Sequence, residues 1–215
     1  MKIGVLGTGG VGQTIGSKLV SLGHEVKMGS RSATHEKGLA WAAAAGPLAS
    51  LGTFAQAAGF GELVFNCTSG RAIPEVLTTA VAALDGKVLI DTTNPLDFSK
   101  GFPPTLFTGG TDSLGEQAQR LLPGARVVKA LNHITASVMV DPGSVHGGDH
   151  QALICGNDAQ AKHAVTNLLQ GGFGWRSVLD LGDITASRGM ECYVALWVRL
   201  MGQQGSAAFA IKVVS

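Results

Sequence analysis

Six residues into the chain, Gly7-Thr8-Gly9-Gly10-Val11-Gly12 places three glycines at GxGxxG spacing. The apolar run Ile3-Gly4-Val5-Leu6 precedes them, and a helical stretch from Gln13 to Leu22 follows. In that setting each glycine has a task. Gly7 permits a tight turn out of the strand, Gly9 lets the backbone approach a pyrophosphate, and Gly12 lets the helix pack closely on the strand. The unpaired N–H groups of the helix start then face an anion, which the helix dipole favours. With 31 glycines in 215 residues the spacing alone is easily met by chance, so the flanking strand and helix carry the inference.

A second strand in such a fold ends on the residue that reads the ribose, and an Asp or Glu there accepts from a 2′-hydroxyl. Here that position reads Gly29-Ser30-Arg31-Ser32, without a carboxylate. Arg31 can hold a 2′-phosphate through its guanidinium fork while Ser30 and Ser32 donate hydroxyl hydrogen bonds. The spacing therefore predicts NADP(H) over NAD(H).

His133 follows directly on the apolar strand Ala125 to Leu131, at the carboxyl end where ligands bind in open α/β sheets. It is the chain's candidate catalytic proton donor, the alternative being a histidine that ties its loop by a hydrogen bond. Lys129, inside that strand, reads as the buried partner of a carboxylate. Arg188 and Glu191 stand three apart on a helix and read as an intrahelical ion pair. His146 and His150 bracket Gly147-Gly148-Asp149 and read as exposed loop histidines, so no metal is expected. Cys67, Cys155 and Cys192 lack CxxC pairing and read as reduced thiols of a cytoplasmic protein, Cys67 as a buried apolar side chain.

The elements that must position these residues alternate. Strands are predicted at 24–28, 47–51, 63–67, 87–91 and 125–131, with helices at 37–45, 54–58, 73–84 and 113–122 between them. This alternation predicts an α/β fold: a Rossmann doubly wound parallel sheet. A Gly- and Pro-rich loop is expected from Ser99 to Gly110. The last third reads as strand 151–155, a helix from Asp158 to Leu169, strand 177–181 and a helix from Thr185 to Met201, a small C-terminal αβ extension. Met190, Val194, Trp197 and Met201 recur at helical spacing, which predicts a core or subunit-interface face.

Composition narrows the class. With 45% hydrophobic and 14% charged residues the chain is a compact globular protein. A net charge of +1 leaves no footprint for nucleic acid or an anionic membrane. No stretch approaches the run of about 20 apolar residues that spans a bilayer, and no basic-then-apolar leader precedes the first strand.

Several later segments occur together and in order. They are Leu89-Ile90-Asp91-Thr92-Thr93-Asn94-Pro95-Leu96, Ser113-Leu114-Gly115-Glu116, Arg126-Val127-Val128-Lys129-Ala130-Leu131-Asn132, Cys155-Gly156-Asn157-Asp158, and Asp180-Leu181-Gly182 followed by Ala186-Ser187-Arg188 and Glu191. The chain thereby resembles the NADPH-dependent oxidoreductases of the deazaflavin coenzyme F-420, a family that includes the cytosolic reductase domain of membrane metalloreductases. The resemblance implies direct hydride passage between the nicotinamide and a deazaflavin or flavin ring, F-420, FMN or FAD. It implies one domain over 1–215, whose extension at 151–215 forms part of the acceptor site and the interface of a homodimer. Pyrophosphate contacts then fall on Thr8, Gly9, Gly10 and Val11, and 2′-phosphate contacts on Ser30 and Arg31. Thr68, Ser69, Gly70 and Asn94 border the nicotinamide ribose and ring, together with Pro95 and Leu96. The resemblance further implies that Asn132, His133, Ile134 and Thr135 line the acceptor side, with Pro95 and Leu96 reaching it, and the alternative reading of Arg188 is an anchor for an anionic acceptor.

Hydride transfer to such a ring requires alignment and close approach but no strong acid, because the charge spreads into the heterocycle. Two other readings compete. One is an imine or keto-acid reductase related to pyrroline-5-carboxylate reductase, for which little chain remains after Leu181 to build a helical dimerisation domain. The other is a non-catalytic NADPH sensor.

Overall fold

A computed structural model describes residues 1–214. β1 (Lys2–Leu6), α1 (Gly10–Ser21) and β2 (Glu25–Ser30) form the first βαβ unit. α2 (Glu36–Ala45), β3 (Ala49–Thr53), α3 (Phe54–Phe60), β4 (Leu63–Asn66), α4 (Ile73–Thr78), α5 (Val81–Leu84) and β5 (Val88–Asp91) continue it. A small hairpin, β6 (Leu96–Asp97) and β7 (Thr105–Leu106), precedes α6 (Leu114–Leu121), β8 (Arg126–Ala130) and α7 (Ala136–Val140). β9 (Gln151–Gly156), α8 (Ala159–Asn167), β10 (Ser177–Asp180) and α9 (Ser187–Gln204) follow.

The large sheet runs β3-β2-β1-β4-β5-β8-β9-β10. Its first six strands are parallel, as the alternation of elements predicts. β9 then lies antiparallel to β8, and β10 is parallel to β9. The extension thus joins the same sheet with its strands reversed, because the chain after β8 turns back through α7 and short 3-10 turns at the carboxyl edge. Residues alternate between the two faces: Ile3, Val5, Phe65, Ile90 and Val128 pack on one side, Leu6, Val64, Leu89 and Val127 on the other. Strands covered on both faces need such continuous apolar runs.

Local chemistry explains most boundaries. Thr53 caps α3 through a box in which its hydroxyl accepts from Gln56 N while Gln56 Oε1 accepts from Thr53 N. Ser113 and Asp158 cap α6 and α8 in the same manner, each accepting an N–H from the first turn. The helix expected over 73–84 is broken after Thr78, where the Thr78 and Thr79 hydroxyls bond back to the carbonyls of Pro74 and Val76. Such side-chain bonds compete with helix continuation. The loop expected from Ser99 to Gly110 carries the second strand of the hairpin, with Leu96 opposite Leu106. α7, absent from the sequence-based expectation, buries Val138 and Met139 and packs against α1.

Candidate active site

The glycine turn is built by close approach. Gly7 has φ +114°, where only glycine is unstrained, and a Cβ there would meet the Cys67 carbonyl of the adjacent strand. A Cβ at Gly12 would fall inside the van der Waals shell of the Gly7 carbonyl oxygen. Gly9 and Gly10 differ, because a Cβ on either would meet nothing within 4 Å. The space they leave opens at the start of α1, whose N-cap Gly9 offers no side-chain acceptor and whose first turn carries no acidic residue. Orphan N–H groups and free space together fit a pyrophosphate.

From this turn a cleft of about 270 Å³ runs between Gly7, Thr8, Gly9, Ser30, Arg31, Thr68 and Ser69. The structure therefore brings together seven of the residues expected at the coenzyme, with Phe54, Ala72 and Val76 as its apolar wall. Gly10, Val11 and Gly12 lie in the first turn of α1. Arg31 reaches over the cleft mouth and pairs with Glu75 of α4, donating from Nε over 2.9 Å and from Nη2 over 3.4 Å. The Ser30 hydroxyl, expected to donate outward, is buried and donates to the Ser32 carbonyl while accepting the Ser32 N–H. It shapes the turn that presents Arg31. Ser32 is exposed, and its Oγ lies 2.7 Å from Thr34 Oγ1.

Towards the centre of the sheet the strand ends interlock. A Cβ at Gly70 would overlap the Asn94 carbonyl and the Leu114 side chain, so the loops after β4 and β5 are in backbone contact. Asn94 donates from Nδ2 to the Asn132 carbonyl, 2.7 Å, and accepts from Asn132 Nδ2, 2.9 Å. Asn132 Nδ2 also donates to the Met190 carbonyl in α9, 3.0 Å. Pro95 is buried and Leu96 half-buried beside Asn94, while Asn132, His133 and Ile134 are buried after β8. Coenzyme loops, acceptor-side loop and extension thus form one connected edge.

Beneath it lies an ion network. Lys129 is fully buried and sits 2.8 Å from Asp91 Oδ2 and 2.8 Å from Glu191 Oε1, and it donates to the Thr93 carbonyl, 2.6 Å. Burial opposes its charge, yet the carboxylates of Asp91 and Glu191 overcome that penalty and hold its pKa above the usual lysine range. Asp91 accepts from Asn66 Nδ2 and the Thr93 hydroxyl as well. Glu191 accepts the N–H groups of Leu114 and Gly115 at the start of α6. Lys129 is the buried carboxylate partner that its apolar strand implies.

Two expectations are corrected, those on the Arg188–Glu191 pair and on His150. Arg188 and Glu191 do not pair along their helix: Arg188 Nε donates 2.8 Å to Glu116 Oε2, while Glu191 turns inward to Lys129. His150 is buried, with Nε2 3.0 Å from the Pro142 carbonyl and its ring edge-on to Trp175 at 5.0 Å, whereas His146 is exposed. His133 is 2% exposed and its Nε2 accepts the Leu153 N–H, 3.3 Å, across to β9. Burial pushes its pKa down to about 4, so the ring is neutral at working pH and fits the loop-tying alternative. Cys67 is buried as expected, and burial pushes its thiol up to about 12.

Glu75, Glu116 and Asp91 were not singled out from sequence. Signals exist for Asp91, a carboxylate closing an otherwise apolar strand, and for Glu116, three residues past Ser113 at a helix start. Among the described residues no group of three or more His, Cys, Asp or Glu is placed to hold a metal. No helix among them is long and apolar enough to cross a membrane.

Fold and cleft together define a Rossmann-like dinucleotide-binding protein. Residues 2–95 match the family described as NADP oxidoreductase coenzyme F420-dependent. The F420-dependent NADP reductase of Methanothermobacter marburgensis is 32% identical over 212 residues, 93% of this chain and 92% of that protein. The chain belongs to this family of F420-dependent NADP reductases. Metalloreductase STEAP3 of Rattus norvegicus is 30% identical over 192 residues, 88% of this chain, and the chain spans 36% of that longer protein. A crystal structure from Arthrobacter sp. FB24, provisionally named an F420-dependent NADP-reductase, superposes with TM-score 0.94 at 48% identity over the full length of both chains. A reductive aminase from Aspergillus terreus shares the fold at TM-score 0.67 and 20% identity, with 62% of its own length covered.

Proposed function

We propose that this protein passes a hydride between NADP(H) and a deazaflavin of the F-420 type, with FMN or FAD as the related ring acceptors. The observation that carries this reading is the acceptor-side loop itself. It offers the amide of Asn132, paired with Asn94 of the loop after β5, and its one histidine is neutral and bonded to β9. Reduction of an imine or ketone needs a proton donor with a pKa near working pH, whereas a deazaflavin disperses the incoming charge. NADPH, when bound, supplies the hydride from its nicotinamide C4.

The chain's own residues bind and align. Backbone N–H groups of Thr8, Gly9, Gly10 and Val11 hold the pyrophosphate, and Arg31, presented by the Ser30–Ser32 turn, holds the 2′-phosphate. Thr68, Ser69 and Asn94 border the nicotinamide ribose, and Pro95, Leu96, Asn132, His133 and Ile134 form the acceptor wall, with Arg188 at its rim. His133 serves there as a wall and loop tie. The chain acts as one domain, in the cytoplasm, as a homodimer joined through the extension at 151–215, with no nucleic acid or membrane partner. NADPH oxidation followed by its absorbance with F-420, FMN, FAD, a ferric complex, a cyclic imine and a keto acid tests the reading. Turnover is expected with the deazaflavin foremost; turnover confined to the imine or keto acid would overturn it.

A further inference from the structure

The Arg31–Glu75 pair spans two compartments of one groove. On one side is the coenzyme cleft, and on the other a cavity of about 390 Å³ lined by Thr53, Phe54, Ala55 and Thr79; Ser30, Arg31 and Phe54 border both. Glu75 stands on α4 and Arg31 at the end of β2, so the pair crosses the groove from wall to wall. Its bonds use the Nε and Nη2 edge of the guanidinium. Both side chains are largely exposed, 72% for Arg31 and 58% for Glu75, so the pair can open without desolvation.

We propose that Glu75 is a specificity-determining residue that competes with the coenzyme's 2′-phosphate for Arg31. This rests on the reading that Arg31 receives that phosphate. One guanidinium then has two anionic claimants, an internal carboxylate and a phosphate dianion, and the two repel each other. The free protein keeps its cation neutralised by Glu75, which scales NADPH affinity down to the fraction of time the pair is open. NADH offers a hydroxyl at this position, leaves the pair intact, and is not subject to the competition. Glu75 therefore acts on NADPH alone and sets how tightly it is held and how readily NADP is released.

Titration calorimetry of NADPH and NADH with the full chain, its Glu75→Gln and Arg31→Ala variants and the double variant tests this. Glu75→Gln should tighten NADPH binding roughly two- to fivefold at low salt, the scale of an exposed ion pair, and leave NADH unchanged. The gain should vanish in the Arg31→Ala background and shrink as salt rises. Weaker NADPH binding in Glu75→Gln would mean that Glu75 orients Arg31, and an equal gain for NADH would mean a general charge effect; either overturns the proposal. If Arg31→Ala weakens NADPH but Glu75→Gln does nothing, the competition alone fails. If Arg31→Ala leaves NADPH binding untouched, the assignment of the phosphate to Arg31 fails with it.

Discussion

Asn94 and Asn132 hold each other in a reciprocal pair: each side chain donates once to the other residue, at 2.7 and 2.9 Å. The loops that follow β5 and β8 are thereby locked at one separation, and the Asn132 bond to the Met190 carbonyl extends the lock to α9. The Asn94 amide uses both its donor and its acceptor, whereas Asn132 gives two bonds from Nδ2 and receives at its backbone carbonyl.

Asn132→Ala should therefore loosen the acceptor wall and spare the coenzyme end. Misalignment of reacting groups lowers turnover strongly, so kcat for ring reduction is expected to fall at least about tenfold. NADPH affinity should change less than about twofold, since the residues proposed to hold the pyrophosphate and the 2′-phosphate lie elsewhere. Single-turnover oxidation of NADPH beside equilibrium binding reads both quantities.

Lys129→Met should destabilise the fold. It leaves Asp91 and Glu191 facing each other in the interior, and breaking a buried pair costs on the order of 3–5 kcal/mol. Urea unfolding at neutral pH measures it. The wild-type network also has an alkaline limit. Because the folded pKa of Lys129 is raised, its contribution is complete below the unfolded lysine value of about 10.4 and is lost as pH rises through the higher folded value. Melting temperatures taken upward from pH 9 should fall for wild type more steeply than for Lys129→Met.

Gly9→Ala and Gly12→Ala should separate binding from folding. An alanine methyl at Gly9 meets no protein atom, so the variant should melt like wild type yet bind NADPH about tenfold or more weakly. At Gly12 the methyl collides with the Gly7 carbonyl, and a loss of stability of about 1–3 kcal/mol is expected. Equal melting temperatures for the two variants would contradict this account of the turn.

Cysteine reactivity should follow burial. Cys67 and Cys155 are buried, with thiols pushed up to about 12 chiefly by burial, while Cys192 is exposed on α9. A disulfide exchange reagent at neutral pH should titrate Cys192 quickly, and the other two only after unfolding.

What could be read from sequence was local or periodic. The glycine turn and Arg31 at its register depend on neighbours within a few residues, and the structure keeps them. The partner of Lys129 was legible in kind but not in identity, since Glu191 arrives on a helix from the far end of the chain. Arg188 and Glu191 have the spacing of an intrahelical pair, but α9 packs against α6, so one turns to Glu116 and the other to the interior. His150 sits in a glycine-rich stretch that conceals the Trp175 ring covering it. The reversal at β9 left no trace either, because an apolar strand reads alike in both directions.

The union of Glu191 with the start of α6 bridges 77 positions of chain. During synthesis, which proceeds from the amino end, β1 to β8 are complete before α9 has emerged. Until then Lys129 has Asp91 as its single carboxylate, the Leu114 and Gly115 N–H groups lack the Glu191 acceptor, and the Asn132 amide lacks the Met190 carbonyl. The coenzyme turn depends on none of these contacts. A nascent chain can thus shape its glycine turn well before the loops across the sheet are tied to α9.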